Sequence, residues 1–320
     1  MNKSKIPVVY IHFGDKGYLE HTLKYALKNN TDKDIILLGD SANEHYKELG
    51  IQHEYFNQFD NKPEIVRFNK NFKYIKGGIE YKSFSGDLIR MREFERFCFV
   101  RWFYLYFFMD LHDLSHCWYF DSDTLLLDSL TSHERKYISY DLTEQSNGTC
   151  MKGLISKVHL HNFIQIINEL LIDEIYINRI KSELSQNKDW AFCDMRAYIE
   201  YKIRKKPNTV TLYTNINNEV FDDALLQERD SVMTYDKMLG VCLKKIFYIN
   251  NELYIKNPQT DIHIKLICIN LSWLPQFYIT NLLNRIETGK SLVLSQLFFP
   301  VLKYRIKKIL LSLKKKIINR

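Results

Sequence analysis

Glycine and proline are scarce, 11 and 6 among 320 residues, and no stretch is of low complexity, which excludes collagen-like, linker-rich and disordered chains. No self-similar period of about 20 to 50 residues is found, so a solenoid or propeller is excluded. No run of about 18 apolar residues is found either, so no ordinary membrane span is expected. The six cysteines, Cys98, Cys117, Cys150, Cys193, Cys242 and Cys268, lie far apart with no CxxC pair. That indicates neither zinc nor a disulfide framework, and they read as small core residues in a reducing compartment. Met1 to Pro7 is polar and runs straight into Val8-Val9-Tyr10-Ile11, which reads as a chain without a signal or transit peptide.

Acidic side chains are missing altogether from Gly289 to Arg320, where nine basic residues stand. The rest of the chain has 36 basic and 38 acidic side chains, a net charge of −2, against +7 for the whole. Basicity is therefore local, and a general DNA or RNA binder is not expected. What the chain does have is core: 46% of it is apolar and 14% aromatic, enough for a large α/β domain with an appendage, or for two domains.

The first half alternates strands and helices. Pro7 to Phe13 is a β-branched and aromatic run ending at Gly14, followed by helical spacing over Tyr18 to Lys28. Asp34 to Asp40 is a second buried strand, Asn43 to Leu49 a short helix, and Gln52 to Phe56 a third strand. This alternation predicts a mostly parallel sheet with ligands at the carboxyl ends of its strands. Phe59 to Gly86 has no clear period. It mixes Lys62, Arg67, Lys70, Lys73, Lys76 and Lys82 with Phe68, Phe72, Tyr74, Tyr81 and Phe84, and reads as a long basic-aromatic loop, either functional or a solvated excursion. Glu93 to Met109 is an apolar helix with Arg101 beside its stripe, and Arg101 needs a partner if buried.

The chemistry concentrates at Cys117 to Leu127, where a hydrophobic strand delivers Asp121-Ser122-Asp123. Alternation puts both carboxylates on one side of the extended chain, about 6.5 to 7 Å apart. Two such charges repel unless something positive lies beside them. A divalent cation bridged to a diphosphate meets that need, since oxygen ligands suit Mn²⁺ or Mg²⁺; a turn with the aspartates capping backbone N–H groups is the plain alternative.

With its motif order, the chain resembles the metal-dependent GT-A glycosyltransferases, in particular the bacterial transferases that build surface polysaccharide and lipooligosaccharide. The resemblance covers residues 6 to 284. Val9 to Gly14 looks like the first strand and nucleotide-binding loop, Asp34 to Asp40 like the second strand, and Phe94 to Trp102 like the helix before the motif. Asp121-Ser122-Asp123 looks like the DxD, Gly148 to Phe163 like the following strand and helix, and Asp194-Met195 like the acceptor-side step opening a helix. Glu219 to Asp222 follows, then a hairpin of Ile246 to Ile249 and Glu252 to Ile255 about Asn250-Asn251.

The resemblance implies an α/β, GT-A-like catalytic domain over residues 1–288 and a nucleotide-diphosphate sugar donor. The donor would be held by His12, Phe13, Gly14, Asp40 and the Asp121, Ser122, Asp123 motif. Asp123, with Asp121, would ligate Mn²⁺ or Mg²⁺. Arg101 would pair with the motif or contact the diphosphate, or else form a structural pair with Glu95 or another acid. Asp194 would face the acceptor hydroxyl, as general base if the enzyme inverts, or cap its helix. The family's late metal-ligating histidine falls on Asn270, a weaker oxygen ligand, with His263 the alternative.

Residues 289–320 make the second predicted segment. Leu302, Ile306, Ile309, Leu310, Leu313 and Ile317 form a helical stripe among lysines, which reads as an amphipathic helix on an anionic membrane, or as a helix packed on the catalytic domain. The membrane reading suits a lipid-carried glycan acceptor and a cytoplasmic enzyme peripheral on the inner face of the cell membrane. Two other functions fit the motif less well. One is a haloacid-dehalogenase-like phosphohydrolase, for which Thr124 stands one position early. The other is a non-catalytic sugar-nucleotide or glycan-binding module.

Overall fold

A computed structural model describes residues 6–213, 217–225, 235–238, 241–272, 274 and 276–290, and in the C-terminal stretch 302, 303, 306, 307 and 310. The chain opens with β1 (Val8–Ile11), α1 (Gly17–Asn29), β2 (Ile35–Gly39), β3 (Gln52–Tyr55), α2 (Pro63–Asn71), β4 (Ile75–Lys76) and β5 (Ile79–Glu80). The long α3 (Asp87–Leu111) leads to β6 (His116–Asp121), β7 (Thr124–Leu126), α4 (Thr131–Tyr137), β8 (Leu142–Glu144), β9 (Met151–Ser156), α5 (Lys157–Leu170), α6 (Glu174–Leu184) and α7 (Asp194–Lys205). Then come β10 (Thr209–Thr211), β11 (Glu219–Phe221), β12 (Tyr235–Met238), β13 (Val241–Lys244), β14 (Phe247–Ile249), β15 (Glu252–Lys256), β16 (His263–Asn270) and α8 (Gln276–Thr288).

Two compact units divide these elements. The first runs to Ser122 and from Ser129 to Leu212; the second takes Asp123–Asp128 and the chain from Tyr213 onward. The first unit is α/β, as expected. Its seven-stranded sheet has the order β10-β8-β9-β6-β1-β2-β3, and β9 alone runs against the others. Strand β1 explains its central place by composition. Val8, Val9, Tyr10 and Ile11 are all buried, and a strand covered on both faces reads as a continuous apolar run. The carboxyl half of α3, from Phe99 to Met109, is buried almost all round, as a helix in the middle of a core must be.

The basic-aromatic segment is not the structureless loop expected. Pro63 stands at the first position of α2, where its missing N–H leaves nothing unsatisfied. Ile75 to Glu80 is a two-residue hairpin about Gly77 and Gly78, with φ of 56° and 81°, the turn that favours glycine.

In the second unit, β16 is the axis: it pairs parallel with β11 and antiparallel with β15 and β7. The hairpin expected about Asn250-Asn251 forms as β14 and β15, with both asparagines at positive φ. None of the six cysteines is in a disulfide among the described residues. Half of the C-terminal stripe, Ile309, Leu313 and Ile317, lies outside the described residues. Among those described, 302, 303, 306, 307 and 310 are helical, and Ile306 and Leu310 are exposed.

Candidate active site

The strand order reverses beside β1. The connection from β1 to β2 moves to one side of it, whereas β6 pairs along the other. Crevices outside the carboxyl ends of strands at such a switch point are where open α/β sheets bind ligands. Register fixes what lies there: Ile11 is level with Leu38 of β2 and with Asp121 of β6. The residues just after β1 (His12, Phe13, Gly14), just after β2 (Asp40) and at the end of β6 (Asp121, Ser122) therefore share one edge of the first unit's sheet.

These loops are tied together by short bonds. The Gly14 N–H donates to Asp40 Oδ2 at 2.7 Å, and Asp40 Oδ1 accepts the Ala42 N–H at 2.9 Å. Asp40 thus shapes the loop, with Gly14 at φ 77°. Asn43, buried and unnoticed in the sequence except as a helix start, donates from Nδ2 to the carbonyls of His12 and Gly14, at 3.1 and 2.8 Å. His12 Nδ1 lies 2.8 Å from Ser122 Oγ, while its Nε2 is buried without a partner among the described residues. Burial lowers the His12 pKa to about 4 against the opposing pull of Asp40 and Asp15, so the ring is neutral near pH 7. Phe13 is 66% exposed, with its ring beside Phe56 and Phe97.

Asp121 is held by Arg101, whose Nη1 donates to Oδ1 at 2.8 Å. The same guanidinium donates from Nη2 to Asp194 Oδ2 at 3.0 Å, and Trp102 Nε1 donates to that oxygen at 2.8 Å. Arg101 therefore pairs with Asp121 and Asp194, not with Glu95. Asp194 is the first residue of α7, and Cys193 holds the cap position. Burial disfavours the Arg101 charge, but the carboxylates of Asp121 and Asp194 outweigh it and hold its pKa well above the ordinary value.

Burial also pushes up the thiols of Cys98 and Cys150, and that of Cys193 to about 12, with Asp194 adding to each. These neighbours of the cluster are thiols, not nucleophilic thiolates. Glu95, half-buried on α3, differs. Burial first, then the Asp194 charge, raises its pKa to about 7 against Lys76.

In the second unit, Asp123 Oδ1 accepts from Asn270 Nδ2 at 2.9 Å and Oδ2 accepts from the Ser272 hydroxyl at 2.7 Å. Asn270 Oδ1 in turn accepts the Ser272 N–H at 2.7 Å. The alternative ligand His263 opens β16, seven residues from Asn270 and thus about 23 Å along the strand. That excludes it from the Asp123 cluster. No three side chains of His, Cys, Asp and Glu gather as a metal-holding group among the described residues. The oxygens of Asp121 and Asp123 are hard donors of the kind Mg²⁺ and Mn²⁺ take, and the bonds from Arg101, Asn270 and Ser272 are of the kind that orient metal-ligating carboxylates.

Asn43 in the first unit and Ser272 in the second were not singled out by sequence reasoning, which named Glu95 only as a possible partner of Arg101 and Trp102 only as part of the helix before the motif. Only Trp102 carried a signal, a buried indole N–H that needs an acceptor.

No known family matches the chain by sequence, and no curated protein does. Solved structures overlap it by shape. Mouse xyloside xylosyltransferase 1, in its apo form, covers 69% of this chain and 87% of its own, at 8% identity and a TM-score of 0.43. The glycosyltransferase GlyE of Streptococcus pneumoniae TIGR4 covers 68% of this chain but 47% of its own, at 16% identity and 0.35. An active-site mutant of LgtC covers 68% and 75%, at 12% identity and 0.34. At these scores the likenesses carry no functional argument, which is drawn from the residues.

Proposed function

We propose that this protein is a metal-dependent glycosyltransferase of GT-A type that moves a hexose from a nucleotide-diphosphate sugar to a hydroxyl of a cell-surface glycan: capsule, O-antigen or lipooligosaccharide. One observation carries the reading. The ends of β1, β2 and β6 meet at the switch point of the sheet, and the acid that ends β6, the first of the DxD, is clamped by Arg101, a largely buried arginine.

The exposed Phe13 ring offers a face for the nucleotide base, and neutral His12 offers an unspent buried nitrogen to the donor. Asp121 and Asp123 would hold Mn²⁺ or Mg²⁺. When bound, that ion offsets the charge developing on the departing diphosphate. Arg101 fixes the Asp121 carboxylate and adds positive charge where the diphosphate would sit. Asp194 Oδ2 is taken by two donors and Oδ1 accepts the Met195 N–H at 3.0 Å, so Asp194 acts by positioning Arg101. Asn270 orients Asp123.

Thermal melting with a panel of nucleoside diphosphates, each with and without Mn²⁺, tests the assignment. One nucleotide should raise the midpoint only with Mn²⁺. A ligand at a hundred times its Kd adds about 2.7 kcal/mol, and Asp123→Ala should lose that increment and all turnover while keeping its far-ultraviolet circular dichroism. A Mn²⁺-dependent shift that survives Asp123→Ala refutes the metal assignment. Release of phosphate from simple phosphomonoesters, with no nucleotide effect, favours the phosphohydrolase.

A further inference from the structure

The basic-aromatic segment found in the sequence is not used by the site above, yet it walls a cleft of about 440 Å³ within the first unit. Four cations, Lys70, Lys73, Lys82 and Arg92, face two carboxylates, Glu80 and Glu174. Glu80 is already held by Lys181 and Lys82, each at 2.6 Å, and these two bonds bring its pKa down to about 2. Lys70 and Lys73 have neither a hydrogen bond nor an ion pair among the described residues. Arg92 pairs with Glu93, and its guanidinium lies 5.7 Å from the Phe72 ring centre and 5.1 Å from that of Phe84. Stacking of this kind holds a guanidinium plane in place without consuming all its donors.

The cleft also has a position relative to the chemistry. Its wall residue Tyr74 is shared with a second cleft of about 300 Å³, which is lined by Lys76, Arg90, Phe94 and Glu95. Glu95 is close enough to Asp194 to feel its charge. A chain of sugars leaving the Asp194 side past Glu95 and Tyr74 would meet the uncommitted cations next. Resting on the transferase reading, we propose that the acceptor is an anionic glycan, and that its phosphate or carboxylate group sits in the cleft of Lys70, Lys73, Lys82 and Arg92. Oxyanions suit both the forked donors of arginine and the point charge of lysine.

The test compares three acceptors that differ in one group: a neutral hexose disaccharide, its monophosphate ester and its uronic acid counterpart. One charged acceptor should show a KM about 10-fold below that of the neutral one, the scale of one charge-assisted bond, with a similar kcat. Which charged acceptor is preferred separates phosphate from carboxylate. The double variant Lys70→Gln/Lys73→Gln should raise the KM of the charged acceptor to that of the neutral one, and raising the salt should narrow the gap in the wild type. Equal use of all three acceptors, or a preference that survives the double variant, overturns the proposal.

A second measurement does not need turnover. In chelator, inorganic phosphate is titrated while the side-chain Nε–Hε resonance of Arg92 is followed by NMR. A saturating shift that the double variant abolishes supports the cleft as an anion site, and no saturation overturns it. Saturation together with failure to turn over any sugar nucleotide leaves the anion site standing and removes its assignment to a glycosyl acceptor.

Discussion

Removing the Arg101 guanidinium while Asp194 stays strands a carboxylate whose side chain is only 4% exposed. Taking one partner from a buried pair costs about 3 to 5 kcal/mol. The lower end applies here, because Asp121 keeps much of its hydration. Arg101→Met should therefore lower the urea midpoint by an amount equal to about 3 kcal/mol, and Arg101→Met/Asp194→Leu should recover a good part of it. A single variant as stable as the wild type would show that the pair is not buried in solution.

Glu95 gives a different signature. Its folded pKa, about 7, lies above the ordinary glutamate value of 4.5, so the folded state binds the proton more tightly. Its contribution to stability is full below the unfolded value and is lost as pH rises from about 4.5 through 7. Glu95→Gln should gain on the wild type between pH 5 and pH 8, by on the order of 1 to 2 kcal/mol after allowing for solvent screening of a half-buried group. Parallel melting curves across that range would show an ordinary carboxyl. At this scale the sequence was partly legible. Arg101 stands out because a charged residue beside an apolar stripe demands a partner, Asp121 because it alternates with Asp123 at the end of a hydrophobic strand, and Asp194 only through the family resemblance. Trp102 meets Asp194 across 92 residues, and Ser272 meets Asp123 across 149, and no local pattern encodes such meetings.

Elements were legible where one physical cause acts alone. Strands β1 and β2 announce themselves because burial on both faces demands an unbroken apolar run, and the β14–β15 hairpin because two asparagines tolerate its positive φ. Residues 59–86 were not, because short α2 spans only nine residues and the lysines mask its inward pair, Ile65 and Phe68. The hairpin there had one overlooked signal, the Gly77-Gly78 pair. Gly78 is constrained twice: its φ is 81°, and a Cβ would stand 2.7 Å from the Lys181 carbonyl oxygen and 2.9 Å from Ser185 Cβ. Gly86, at φ 53°, has nothing within 4 Å of the same position. Gly86→Ala, at φ 53° and ψ −128°, should cost about 1 to 3 kcal/mol for the backbone alone, and Gly78→Ala about 1 to 3 kcal/mol more, from the clash. Equal losses in urea would mean that α6 yields freely and that the close approach has no energetic weight.

For the whole molecule, the second unit could not be drawn from sequence because its first piece, Asp123–Asp128, sits far from the rest. Pairing of Asn270 with Thr124 brings β7 to β16, a match between a three-residue strand and a distant one of eight residues. Charge, in contrast, is fully legible at this scale: nine basic residues and no acid after residue 288, on a body at −2. Of the three stripe residues described, Ile306 and Leu310 are exposed and Leu302 is half-buried, and a lipid surface as the destination of that stripe is a proposal to be tested.

Each basic residue near an anionic surface contributes about 1 kcal/mol, so engagement of even half of them gives an interaction that sediments with vesicles. The full chain should co-sediment with vesicles containing anionic lipid and not with purely zwitterionic ones. Release should follow as salt rises from about 0.1 M, where the screening length is about 10 Å, toward 1 M, where it is about 3 Å. A chain ending at Lys290 should stay in the supernatant with its melting temperature unchanged. If the shortened chain still binds, the membrane role of the tail is wrong. If it instead melts markedly lower, the stripe was packed on the protein, and the lysines are the solvated face of an ordinary helix.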